Sequence, residues 1–158
     1  MKGDEVVVVT GFGPFRQFLV NPSWKAAQFA VHLGIARGSR VVILEQTGKN
    51  SRYRDKDVCG FCPESHCCIE GGPEELDSVI NMRAASKQLK QAGTEVVYSR
   101  DAGRYLCDFA YYCSLYHGQR RAALIHVPSS GSLASADRLI PLLQTIIQTM
   151  LNQLKDSS

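Results

Sequence analysis

Arg104-Tyr105-Leu106-Cys107-Asp108-Phe109-Ala110, followed by the largely apolar run Ala122-Ala123-Leu124-Ile125-His126-Val127-Pro128, is the passage that settles the architecture. Its first half has helical spacing: a helix is predicted over residues 104–116, with Leu106, Phe109, Ala110 and Cys113 on one face. Its second half predicts a strand over 122–127, apolar at nearly every position as strands buried on both faces are. A helix that hands over to a doubly buried strand implies an α/β fold, with helices packed on a mostly parallel sheet in three layers.

The flanking segments repeat this alternation. Val6-Val7-Val8-Val9 is a β-branched run that enters the loop Thr10-Gly11-Phe12-Gly13-Pro14-Phe15. Asn21 as N-cap and Pro22 in the first helical position predict a helix through Leu33, ended by Gly34 or Gly38. Further strands are predicted over 41–44, with Glu45 at the end, and over 95–99. Residues 46–73 read as a long loop and residues 74–92 as a helix stopped at Gly93. Leu139, Leu142, Leu143, Ile146, Ile147, Met150, Leu151 and Leu154 give the final helix the cleanest amphipathic pattern, with Pro141 near its start.

The 158 residues carry no repeat or linker, so a single domain spanning 1–158 is expected. A 44% hydrophobic and 21% charged composition belongs to a folded globular chain. The 18 basic residues are scattered without aromatic interleaving, which argues against a nucleic-acid partner. With neither a signal peptide nor a membrane span in the pattern, a cytoplasmic protein with reduced cysteines is expected.

Three groups of residues could carry chemistry. Cys107, in the first turn of its helix, has a thiolate favoured by the positive end of the helix dipole. His126, where its strand ends, faces the crevice in which α/β sheets bind ligands. A thiol nucleophile and its base need this pair, although a core thiol and a structural imidazole would fit the same two positions. Cys59-Gly60-Phe61-Cys62 with His66-Cys67-Cys68 has zinc-ligand residue types, but its two halves lie too close for the usual finger, and unpaired thiols are the favoured reading. Gly11-Phe12-Gly13-Pro14-Phe15 is no dinucleotide loop, since Pro14 removes an amide donor; Phe12 and Phe15 suit a flat apolar group. No cofactor or metal is expected.

Thr10-Gly11-Phe12-Gly13-Pro14-Phe15, Asn21-Pro22-Ser23-Trp24, Leu44-Glu45, Asp101 to Asp108 and Ile125-His126-Val127-Pro128 together resemble the pyroglutamyl peptidase I family over nearly the whole chain. Phe61 to Cys68 resembles its animal members. The resemblance implies a cytosolic cysteine omega-peptidase acting on peptides with N-terminal pyroglutamate. It implies Cys107 as nucleophile, His126 as general base and acid, Glu45 as the third catalytic residue, and Phe12 and Phe15 as walls of the pyroglutamyl pocket. Asn50 keeps part of the family's loop after the glutamate, whereas Arg52 is a bulky departure.

A second departure concerns length. Gly34 to Ser39 join the predicted first helix almost directly to Val41-Val42-Ile43-Leu44-Glu45, where the family has a further strand–helix–strand stretch. About one β-α-β unit, roughly 30 residues, is expected to be missing, including a central strand. Glu45 then reaches the site only if residues 41–44 take the lost strand's place, and exposed sheet edges favour self-association. The alternative to an active peptidase is a catalytically impaired relative that binds peptides or a protein partner.

Overall fold

The computed structural model describes residues 7–11 (backbone), 29–51, 53 and 62–156. Its main sheet has five strands in the order β1 (Val7–Gly11), β2 (Phe29–Ala36), β7 (Ala122–Pro128), β3 (Val42–Glu45), β6 (Val96–Ser99). All pairings are parallel except β3 on β7. Helices α1 (Met82–Gln91) and α3 (Ala136–Asp156) cover one face, and α2 (Leu106–His117) covers the other. The α/β class and mostly parallel sheet read from the sequence are therefore the observed ones.

The element between β1 and β7 differs from the expectation. Residues 29–33, read as the end of a helix, form the first part of strand β2, while the start of that helix (21–28) lies outside the described residues. Phe29 and Val31 enter the core shared with α1 and α3; Ala30 and His32 face α2. A short apolar run buried on both faces has no distinctive period of its own, and pairing on both sides decides its form. The central place next to β7 is thus taken by β2. Residues 42–45 form β3, which lies on the other flank of β7 and runs the other way.

Two more boundaries move. The stretch read as a loop contains β4 (Thr47–Lys49), which pairs antiparallel with β5 (Glu75–Asp77). Residues 74–81 therefore fall outside α1, which starts at Met82. Buried Gln46 sets that start: its amide donates to the carbonyls of Ser78 (3.1 Å) and Ile80 (2.9 Å), and its Oε1 accepts from Met82 N (2.8 Å). Asn81 completes the cap by accepting from Ala84 N at 3.0 Å. In α3 the helix begins at Ala136 and runs through Pro141, whose carbonyl accepts from Thr145 Oγ1 at 3.1 Å.

Candidate active site

Register brings the candidate residues together. Gly34 of β2 lies directly beside His126 of β7, and Ile43 of β3 lies opposite that histidine on its other flank. Glu45, two residues beyond Ile43, is diagonal to His126 on the same sheet face, within reach of a long side chain. Its Oε1 accepts from His126 Nδ1 at 3.0 Å, which leaves Nε2 turned toward Cys107. Glu45 is only 2% exposed, and among the described residues its Oε2 has no hydrogen-bond partner.

Cys107 arrives from the opposite layer. The loop before α2 is folded by Asp101, whose Oδ1 accepts from Gly103 N (3.1 Å) and Arg104 Nη1 (3.0 Å), with Gly103 at φ +86°. Tyr105 then caps α2 in an extended conformation, and Cys107 falls in the first turn as the sequence predicts. The buried positions of α2 are Asp108 and Tyr111 to Leu115, so the predicted apolar face through Leu106, Phe109 and Ala110 is only half-buried. The Cys107 thiol lies beside the His126 ring, both within contact reach of Gly34.

The imidazole of His126 is consequently held between a carboxylate and a thiol. Burial pulls its pKa down, but hydrogen bonds and charge from Cys107 and Glu45 outweigh that and raise it to about 9. The group is poised as an imidazolium, able to hold a thiolate and to give up a proton.

Gly34 makes this approach possible. A Cβ at that position would stand 2.5 Å from Cys107 Sγ and 3.2 Å from His126 Cδ2. Sequence reading passed over it as a helix stop; a glycine inside a strand is the sign of close approach by another group. Asp108, next to Cys107 in the chain, is fully buried. Tyr53 donates its hydroxyl to Asp108 Oδ2 and to the Lys49 carbonyl. Burial raises the Asp108 carboxyl to about 6, although the Tyr53 hydrogen bond works the other way. Tyr111 OH donates to the Glu45 carbonyl at 2.8 Å, fixing the strand end that carries the acid.

Phe12, Phe15 and Cys59 lie outside the described residues. Cys62 Sγ is 3.7 Å from His66 Nδ1, and both groups turn to the Tyr53 carbonyl at 3.2 and 3.0 Å. Among the described residues no three His, Cys, Asp or Glu side chains are grouped to hold a metal, and no helix is long and apolar enough to cross a membrane.

A cysteine, a histidine and a buried acid thus gather on one face of the sheet of an α/β scaffold. The pyroglutamyl peptidase family profile matches residues 28–154, and the chain belongs to that family. It is 39% identical to pyroglutamyl-peptidase 1 of Rattus norvegicus over 194 residues, covering 97% of this chain and 93% of the relative. That aligned length exceeds the 158 residues present here, so the rat protein has residues without a counterpart in this chain. The chain is also 46% identical to the pyroglutamyl-peptidase 1-like protein of Homo sapiens over 126 residues, covering 80% of this chain and 64% of the relative. The solved pyrrolidone carboxyl peptidase of Thermococcus litoralis shares the fold, with a TM-score of 0.78 at 19% identity over 98% of this chain and 97% of that one.

Proposed function

We propose that this chain is a cytoplasmic cysteine peptidase that removes N-terminal pyroglutamate from peptides, with Cys107, His126 and Glu45 as catalytic residues. The observation that carries the reading is His126 bonded to Glu45 and lying beside Cys107 over Gly34, within a chain whose relatives are pyroglutamyl peptidases. Five described cysteines standing as free thiols suit a reducing compartment.

In this mechanism the Cys107 thiolate attacks the pyroglutamyl carbonyl carbon and forms a C–S bond. The first-turn amides of α2, which have no acceptor within the helix, face the developing oxyanion. His126 gives its proton to the amine as the C–N bond breaks. It then takes a proton from water, whose oxygen attacks the thioester; the C–S bond breaks, releasing free pyroglutamate and restoring the thiolate. Glu45 holds the imidazole ring and balances its charge. The family resemblance assigns the walls of the lactam pocket to Phe12 and Phe15.

The test is fluorophore release from a pyroglutamyl amide under reducing conditions. Turnover that falls on the order of 10⁴-fold or more in Cys107→Ala is the expected result. Cooperatively folded protein without turnover overturns the reading and favours an impaired relative that binds peptides.

A further inference from the structure

Three residues on one side of α2 follow the helical repeat: Cys107, Tyr111 and Ser114. Each meets a different point of the sheet beneath. Cys107 lies over Gly34 of β2, beside His126 of β7, while Tyr111 bonds the Glu45 carbonyl at the end of β3. Ser114 Oγ bonds His32 Nε2, and His32 precedes Gly34 by two residues on the same face of β2. One strand therefore carries both the close-approach point under the thiol and a polar attachment for the helix that bears it.

The His32–Ser114 pair is unusual for its setting. His32 is 3% exposed and Ser114 fully buried, among Ala30, Leu115, Ala122 and Leu124. A neutral buried hydrogen bond adds little net stability over an apolar pair of the same shape. Its directionality, however, permits one sliding position of helix on strand, whereas methyl contacts permit several. The clearance it controls is small, since Cys107 Sγ occupies the space a Gly34 side chain would need.

We propose that His32 and Ser114 are positioning residues, whose hydrogen bond sets the register of α2 on β2 and so the approach of Cys107 to His126. The proposal rests on the reading of Cys107 as the nucleophile. Burial holds His32 neutral, with a pKa lowered to about 4, so the contact persists as a hydrogen bond across the range in which a thiol peptidase works.

Ser114→Thr and Ser114→Val test this, being equal in size and differing in the hydroxyl alone. Two quantities are read: the pH profile of Cys107 alkylation by iodoacetamide, located by peptide mass spectrometry, and kcat with KM on a pyroglutamyl amide. The Val variant is expected to lose about tenfold or more in alkylation rate at pH 6.5 and in kcat, with KM changed less than threefold. The Thr variant should stay within threefold of the parent on every measure. Thr and Val variants that behave alike overturn the proposal. So does a Ser114→Ala protein that no longer unfolds cooperatively, because the pair would then hold the fold and not the site. If the parent protein leaves the amide uncleaved while Cys107 reactivity still follows the Ser114 hydroxyl, the peptidase reading falls and the positioning role stands.

Discussion

At position 34 the absence of a side chain is what lets the Cys107 thiol and the His126 ring approach the same point of the sheet. Gly34→Ala places a Cβ 2.5 Å from Cys107 Sγ, so either the thiol or the strand must move. A fall of about 10²-fold in kcat/KM is expected on the pyroglutamyl amide, with unfolding still cooperative. The histidines give the protein a pH signature. His126 has a folded pKa near 9, above the unfolded value of 6.5, so its contribution to stability is complete below pH 6.5 and is lost as pH rises through 9. Urea unfolding followed from pH 6 to pH 10 should show this decline, and His126→Gln should flatten it. Below pH 6.5 two groups oppose each other. His32 stays neutral in the fold down to about pH 4 while the unfolded chain takes up its proton, which destabilises. Asp108, raised to about 6, binds a proton in the fold first, which stabilises as pH falls through 6 toward 3.8. Asp108→Asn removes the second effect alone. The acid limb of the same unfolding series should become steeper in that variant, and an unchanged limb would contradict the assignment.

Among the elements, the start of α1 rests on the Gln46 clamp together with the Asn81 cap. Gln46→Ala strands the carbonyls of Ser78 and Ile80 and the amide of Met82 in a buried region, at a cost of about 2–4 kcal/mol measurable by urea denaturation. Nothing near Gln46 in the sequence announces this clamp, because its partners lie more than thirty positions away. The same distance in sequence explains which elements could be read in advance. The 136–156 helix is legible because its own residues repeat with the helical period, and Cys107 falls in a first turn because local signals mark the start of α2. Phe29–Ala36 is a strand for reasons found in β1 and β7, so its local pattern was read as helix. Residue type pointed to Cys107 and His126, family resemblance added Glu45, and the fold brings the three side chains near one another. Gly34, His32 and Ser114 carry no such signal, since what they meet depends on which strand or helix stands opposite them.

For the molecule as a whole, the sheet couples stability to the site. Phe29 is 1% exposed, in the core shared by both helices of its face, at the first pairing positions of β2 with β1. Phe29→Ala should cost about 3–5 kcal/mol in urea unfolding. Because β2 also carries His32 and Gly34, activity at moderate denaturant should fall in step with the loss of folded protein, without a separate inactive folded state. The strand order has a further consequence during synthesis. β2 and β3 follow one another closely in the chain yet flank a place that belongs to β7. As the chain leaves the ribosome, two strand edges wait unpaired until residues 122–128 emerge to fill the slot between them. Until then the open seam is the place where another nascent chain could add a strand.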